Sequence, residues 1–152
     1  MAEPRRLLFL VNEALFFTTH RMSVALAARA ANFDVHVAAP FDAVFVRVIE
    51  ENGFPYHPIP LERGGRSPIG ELRLIAAMAG VIVRVKPDLV HNVAMKPVIW
   101  GGLAARLLGV PAVVNAIIEG LYREYKIDHI DMPATAERVW IAIREHQRRH
   151  SL

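Results

Sequence analysis

The fold is decided by one stretch of sequence, His91-Asn-Val-Ala-Met-Lys-Pro-Val-Ile-Trp-Gly-Gly-Leu-Ala-Ala-Arg-Leu-Leu-Gly-Val-Pro-Ala-Val-Val-Asn-Ala-Ile117. Its first residue closes a short apolar run that begins at Asp88, and a second run, residues 111–117, is rich in the β-branched residues typical of strands covered on both faces. Residues 98–108 favour a helix that ends at Gly109, because glycine readily adopts the left-handed conformation. Parallel strands joined by a helix require a crossover, so the stretch predicts a layered α/β fold.

The same alternation of strands and helices extends towards the N-terminus. Strand patterns occupy residues 7–11, 34–39 and 56–60, the last at a sheet edge because proline donates no ladder hydrogen bond. Helical patterns separate them: one that begins after a cap at Thr18 or Thr19, one over residues 43–52, and one over residues 68–85. The order predicts a Rossmann-like, doubly wound parallel sheet of about five strands, with ligands bound beyond the carboxyl ends of the strands.

The pattern of polar and apolar residues changes near Glu119. Polar residues alternate with apolar ones up to a turn-like segment that ends at Pro133, and residues 135–149 favour a helix with arginines in its last turns. We therefore predict a Rossmann-like domain over residues 1–118 and a divergent tail with one helix over residues 119–152.

Composition excludes several classes of protein. The chain has no cysteine, so disulfides and thiolate metal sites are impossible, and no histidine and carboxylate pair has metal-ligand spacing on a helix face. The formal charge of +3 comes largely from scattered arginines, whereas nucleic-acid binding needs a clustered basic face. We predict no metal site and no nucleic-acid partner.

The first apolar run, residues 7–11, is interrupted by Asn12 and Glu13 before it reaches the length of a secretion-signal core. No apolar run approaches the roughly 20 residues that cross a bilayer, so we expect a cytoplasmic protein. The loop predicted over residues 12–19 contains no glycine, which argues against a dinucleotide-binding turn and against a Walker loop.

The chain also combines a set of local motifs: Phe9-Leu-Val-Asn12, Phe16-Phe17 with His20-Arg21, Val35-His-Val-Ala-Ala-Pro40, Pro87-Asp-Leu-Val-His91, Lys96-Pro97, and Gly101-Gly-Leu-Ala-Ala-Arg106 with Gly109-Val-Pro111. As a set, over residues 7 to about 118, they resemble the N-terminal domain of a GT-B glycosyltransferase of the retaining, family 4-like type. The usual Gly-Leu-Gly turn is replaced at Ile118-Glu-Gly-Leu121.

This resemblance implies transfer of a sugar, without a bound metal, from a nucleotide-sugar donor to a lipid-linked or polysaccharide acceptor. The N-terminal domain of such enzymes mostly holds the acceptor, and a second domain holds the donor. The donor-binding residues cannot be placed on this sequence, so we expect no cofactor on this chain itself and a donor domain supplied elsewhere, for example by a separate chain.

The resemblance and the loop positions select seven candidate site residues. We predict that Arg21 and its neighbour His20 hold an acceptor phosphate at a helix start, that His91 orients an acceptor hydroxyl as the catalytic residue, and that Lys96 offsets phosphate charge. The other candidates for acceptor binding are Asn12 in the first loop and Arg63 and Arg66 in a Gly-Gly loop.

Each candidate also has a purely structural interpretation: a helix-start pair facing solvent, a half-buried strand histidine, or a surface loop. Leu15, Phe16, Phe17 and the helix over residues 74–83 are candidates for an apolar rim that meets a polyprenyl chain, with peripheral contact at the inner face of the cytoplasmic membrane. The competing interpretation of these apolar residues is the protein core.

The segment from His129 to Ile143 weakly resembles the closing residues of molybdenum hydroxylase large subunits, and a recombined reading frame is one hypothesis for the seam near residue 119. Two functions follow for the whole chain. The first is the acceptor-binding half of a glycosyltransferase, inactive alone because electrostatic stabilisation of the departing nucleotide comes from the donor domain. The alternative is a non-catalytic partner or remnant subunit that binds a complementary chain or a lipid-linked sugar.

Overall fold

The computed structural model describes residues 3–62 and 67–116, which contain a five-stranded sheet. The strands are β1 (Arg5–Val11), β2 (Phe33–Ala39), β3 (Tyr56–Pro58), β4 (Leu89–Val93) and β5 (Ala112–Ala116). They are all parallel, and their order in the sheet is β3-β2-β1-β4-β5. The predicted doubly wound topology is confirmed, and the strand order reverses between β1 and β4.

Four helical segments connect the strands. Helix α1 covers residues 14–30 and consists of Ala14–Phe16, a π-helical part over Phe17–Arg21, and Met22–Ala30. Helix α2 is Ala43–Glu51 and α3 is Pro68–Val85. Helix α4 covers residues 97–107, with π geometry over Pro97–Gly101 followed by Gly102–Leu107.

Several predicted helix ends are confirmed. The Ser67 hydroxyl accepts a hydrogen bond from the backbone N–H of Gly70 at 3.5 Å, and Pro68 occupies the first helical position, where its missing N–H costs nothing. Gly53 after α2 and Gly109 after α4 have φ of 76° and 72°, a conformation that disfavours residues with a Cβ.

The side chains of β1 alternate between two cores, one on each face of the sheet. Phe9 and its alternate neighbours pack under α1 and α2, whereas Leu8 and Leu10 pack under α3 and α4. Burial of each such side chain is worth roughly 1.5–3 kcal/mol, and β1 is almost wholly buried because it lies in the middle of the sheet. Side chains that belong to different cores therefore lie on opposite faces of the sheet.

The predicted start of α1 is wrong. The helix begins at Ala14 rather than after Thr18 or Thr19, because Ala14 and Phe17 are buried against the sheet and this packing begins the helix early. The two threonine hydroxyls donate to the carbonyl of Leu15, at 2.8 and 2.9 Å, and therefore do not cap backbone N–H groups. The loop after β1 is therefore shorter than the predicted residues 12–19 and covers residues 12–13.

The structure also corrects two strands. Strand β4 extends two residues past His91 to Val93, because Asn92 can be buried when its Nδ2 donates to Oδ1 of Asn115 on β5, at 2.9 Å. Strand β5 is not covered on both faces: Val113 and Val114 are exposed, since β5 is the last strand at that side of the described sheet.

The predicted boundary at residue 118 and the tail helix lie outside the described residues. Within residues 3–62 and 67–116, no helix is both long and apolar enough to cross a membrane.

Candidate functional site

The candidate site lies where the strand order reverses, at the carboxyl ends of β1 and β4. Val11 pairs with Val93 as the last residue of each strand, and the chain then turns into α1 on one face and α4 on the other. Both helices carry a π-helical part here, a feature often found at functional sites. Between β4 and α4, Ala94 has a φ of 74°, which a residue with a Cβ rarely adopts without a structural or functional reason.

His91 lies on β4, on the face of the sheet that α1 covers. Its ring stacks on Phe9 of β1 with 4.9 Å between centroids and 26° between planes. Its Nε2 is buried and has no hydrogen-bond partner among the described residues. Burial and, second, the positive charge of Arg21 lower the pKa of His91 to about 4, so the imidazole is neutral at neutral pH. A neutral ring can give or accept one hydrogen bond at Nε2.

Arg21 is therefore near enough to His91 for its positive charge to lower the pKa of the imidazole. Arg21 ends the π-helical part of α1 and is half-buried there, rather than at the start of the helix as predicted. The interpretation of Arg21 as a residue at a helix N-terminus is wrong, because α1 begins seven positions earlier (21 minus 14). The charge of Arg21 therefore acts on His91 from within α1, and the N-terminus of the helix is not involved.

His20 precedes Arg21 on α1 but has local contacts of its own. Its ring stacks on Phe16 with 4.6 Å between centroids, and its Nδ1 lies 2.7 Å from the hydroxyl of Thr19. The side chain is exposed on the surface of the helix. His20, like Arg21, is therefore not at the helix start that the sequence predicted.

Asn12 and Glu13 follow β1 and line an open depression of about 380 Å³ at the carboxyl ends of β1 and β2. The side-chain oxygen of Asn12 is buried and has no hydrogen-bond partner in the described part of the chain. The remaining lining is largely apolar, with Leu15, Phe41 and Phe45. The depression is therefore lined by apolar side chains around the polar group of Asn12.

Lys96 lies on the opposite face of the sheet, just before α4. Its Nζ donates to Oε1 of Glu71 at 2.6 Å and to the carbonyl oxygen of Glu62 at 3.1 Å. The other oxygen of Glu71 accepts from Nε1 of Trp100 at 2.6 Å. Lys96 thus belongs to a network that joins α3 to α4 beside a small depression of about 120 Å³.

The two remaining candidates, Arg63 and Arg66, lie outside the described residues. The sequence analysis missed two residues that the structure places at this edge, Glu71 and Trp100. An acidic residue in the first turn of a helix normally indicates only a favourable interaction with the helix dipole, so nothing local signals the pairing of Glu71 with Lys96.

No group of three or more histidine or acidic side chains within residues 3–62 and 67–116 could hold a metal ion. His36 on β2 and His57 on β3 contact each other, with 3.1 Å between Nδ1 and Nε2. Burial first, then the charges of His36 and Arg84, lower the pKa of His57.

Solved structures share this fold at low sequence identity. MurG from Acinetobacter baumannii matches with a TM-score of 0.59 and 20% identity over 74% of this chain and 35% of its own. The glycosyltransferase SsfS6 of Streptomyces sp. SF2575 matches with a TM-score of 0.53 and 21% identity, over 93% and 44%. UDP-GlcNAc 2-epimerase from Neisseria meningitidis, bound to UDP-GlcNAc, matches with a TM-score of 0.55 and 15% identity, over 97% and 44%.

The chain spans less than half the length of each of these three structures. No curated protein sequence matches it. The family comparison is more decisive, because the Glycosyl transferase 4-like model matches residues 6–132, which include all seven candidate site residues and run past the boundary predicted at residue 118. The chain therefore belongs to the Glycosyl transferase 4-like family.

Proposed function

We propose that this chain is the acceptor-binding half of a glycosyltransferase, which moves a sugar from a nucleotide-sugar donor to a lipid-linked or polysaccharide acceptor. The observation that carries this proposal is His91 beside the switch point of a family 4-like sheet, with a buried Nε2 that has no hydrogen-bond partner among the described residues and a pKa that the charge of Arg21 helps to lower. In open α/β sheets, ligands bind outside the carboxyl ends of the strands at that point. The nucleotide sugar would be held by a second domain, on the same polypeptide or on another chain.

In this proposal His91 orients the acceptor hydroxyl. Its unpartnered Nε2 offers one hydrogen bond in a site where burial keeps the ring neutral. A base with a pKa of about 4 removes a proton poorly at neutral pH, so binding must raise that pKa before His91 can act as a general base. An anionic acceptor would do so in part, because it would offset the charge of Arg21.

Arg21 then supplies the contact for a phosphate of a lipid-linked acceptor. A guanidinium can bind two phosphate oxygens in a fork, and a partly buried one gains more from the charge than an exposed one. Asn12 adds a side-chain amide to the lining of the depression after β1, and its oxygen, which has no hydrogen-bond partner in the described part of the chain, suits a sugar or acceptor hydroxyl. Arg63 and Arg66 remain candidates for further contacts to the acceptor.

We also propose peripheral membrane contact at the carboxyl edge of the sheet. The rim predicted from the sequence was wrong in part, because Phe17 and five apolar residues of α3 are buried in the cores. Other large apolar side chains are exposed near the starts of the helices that begin at this edge, namely Leu15, Phe41, Val44, Ile69, Leu72 and Met95. Co-sedimentation with liposomes should therefore occur at both low and high salt, and its absence under both conditions would end this part of the proposal.

The main proposal is tested with purified chain, radiolabelled nucleotide sugars and a polyprenyl diphosphate sugar. We expect the acceptor to bind and no sugar to be transferred until a donor domain is added. Turnover by this chain alone would contradict the half-enzyme assignment.

The second candidate function is a non-catalytic subunit that binds the same acceptor without chemistry. It is favoured by one observation, namely that the low pKa of His91 suits hydrogen bonding better than proton transfer. If a complementary donor domain restores transfer and His91→Gln reduces the transfer rate without changing acceptor affinity, the catalytic assignment holds. If no donor domain restores transfer and the chain still binds acceptor, the non-catalytic assignment holds.

A further inference from the structure

We propose that Glu71 is a positioning residue for Lys96: its carboxylate holds Lys96 and Trp100 at once and so fixes the Lys96 ammonium at the carboxyl edge of the sheet, on the face opposite His91. The role predicted for Lys96 from the sequence, an ammonium that offsets acceptor phosphate charge, extends the proposed function and rests on it. The positioning itself rests on the geometry alone.

The two hydrogen bonds to Glu71 are short and use different oxygens. Oε1 lies 2.6 Å from Nζ of Lys96, and Oε2 lies 2.6 Å from Nε1 of Trp100. Such charge-assisted bonds are roughly twice as strong as neutral ones. The side chains of Lys96 and Glu71 are only 27% and 23% exposed, so solvent screens this pair less than an ordinary surface ion pair.

The network joins three segments that are distant in sequence. Glu71 comes from the first turns of α3, Lys96 immediately precedes α4, and Trp100 lies one turn into α4. Lys96 also reaches the carbonyl oxygen of Glu62, which precedes the segment carrying Arg63 and Arg66. The start of α3, the start of α4 and the chain before residue 63 are therefore held at one point.

A shared carboxylate couples the two groups that it binds. The hydrogen bond from Lys96 is the largest cause that lowers the pKa of Glu71, ahead of burial, which raises it, and of the bond from Trp100. Removing Lys96 must therefore change the proton equilibrium that Trp100 senses through Glu71. Removal of a residue that only packs near Trp100, without a bond to Glu71, would leave this proton equilibrium unchanged.

The experiment follows the indole N–H resonance of Trp100 in ¹⁵N-labelled protein as the pH is lowered, with assignment by Trp100→Phe. We expect the midpoint to move to higher pH in Lys96→Met, because Glu71 loses its main stabilising partner. Glu62 and Arg73 are the other charged side chains that line the same depression. Arg73→Met is the matched control, since it removes a cation that has no hydrogen bond to Glu71, and it should shift the midpoint less.

Equal midpoints in the wild type and Lys96→Met, or equal shifts in Lys96→Met and Arg73→Met, would overturn the proposal. Both variants keep Glu71 in place, so the test does not depend on the folding of a Glu71 variant. Backbone amide spectra recorded at each pH define the range in which the chain is folded.

A second measurement separates this proposal from the proposed function. Inorganic pyrophosphate is titrated into the wild type, Lys96→Met, Glu71→Gln and the double variant by calorimetry. Positioning predicts that Lys96→Met weakens binding by about tenfold, that Glu71→Gln also weakens it, and that the double variant is no weaker than Lys96→Met. Tighter binding in Glu71→Gln would contradict positioning. Absence of binding to the wild type, with the coupling to Trp100 intact, would count against the phosphate role of Lys96 and not against Glu71.

Discussion

Protonation of His91 should destabilise the fold in mildly acidic solution. Burial and the charge of Arg21 lower its pKa from 6.5 to about 4 in the folded chain, whereas the unfolded chain keeps the ordinary value. A group with a lowered folded pKa contributes stability that is complete above pH 6.5 and is lost as the pH falls through the folded pKa of about 4. The free energy of unfolding should therefore fall between pH 7 and pH 5.

The size of the effect follows from linkage. At pH 5 the unfolded imidazole is almost fully protonated and the folded one is largely neutral, so His91 alone accounts for a loss of about 2 kcal/mol relative to pH 7. This value is an upper figure because the ring is only partly buried. His57, whose pKa is also lowered, adds a change of the same sign.

The assay is urea denaturation at pH 7, 6 and 5, followed by circular dichroism, for the wild type and for His91→Gln, which cannot titrate. The variant should lose the larger part of the pH dependence. Arg21→Gln should raise the pKa of His91 measured by NMR, because it removes the second cause of the shift and leaves burial in place. Equal pH dependence in the wild type and His91→Gln would refute the assignment of His91 as a neutral, buried histidine.

Three further predictions concern the elements that shape the site. Gly101→Ala should destabilise the fold by about 1–3 kcal/mol, because an added Cβ would lie 2.6 Å from Oδ1 of the buried Asn92. Thermal unfolding measures this loss of stability. An unchanged midpoint would contradict the close approach of Gly101 to Asn92. Gly80→Ala is the matched control: nothing lies within 4 Å of its Cβ position in α3, so the same melt should show a gain of about 0.5–1 kcal/mol, and a loss would show that the position is not open. Asp42→Ala should lower the free energy of unfolding by about 1 kcal/mol in denaturant titrations, because Asp42 accepts hydrogen bonds from two backbone N–H groups at the start of α2. Asp42→Asn should retain most of the stability. Equal losses in both variants would argue against capping.

The sheet could be predicted because its signals are local. Apolar runs of strand length, proline and glycine at the ends of elements, and the cap at Ser67 all lie within a few residues of the feature that they determine. The edge position of β3 also followed from its prolines. These patterns were sufficient for parallel strands and a doubly wound sheet, but they did not specify the order of the strands.

The errors arose where packing or distant partners decide the structure. The first helix starts at Ala14 with no side-chain cap, because burial of Ala14 and Phe17 outweighs the missing capping bond. Strand β4 continues through Asn92 because Asn115, on the next strand, accepts its hydrogen bond. Neither the burial of Ala14 and Phe17 nor the hydrogen bond to Asn115 can be recognised from the neighbouring residues in the sequence.

The candidate site was predictable only in part for the same reason. His91 and Lys96 follow from their position at the end of a strand, but the sequence could not place them on opposite faces of the sheet. The register between β1 and β4 places His91 opposite Phe9, and Glu71, which is distant in sequence, accepts a hydrogen bond from Lys96. Arg21 lies within α1, and not in its first turn, because α1 begins before the threonines.

The central proposal is that Arg21 and His91 contact the acceptor. It is tested most directly by the affinity of the chain for a polyprenyl diphosphate sugar in lipid nanodiscs, compared between the wild type and the double variant Arg21→Gln/His91→Gln, with Gly80→Ala as a folded control. The account predicts that the wild type and Gly80→Ala bind equally well and that the double variant binds at least about tenfold more weakly. Equal affinity in all three proteins would contradict it.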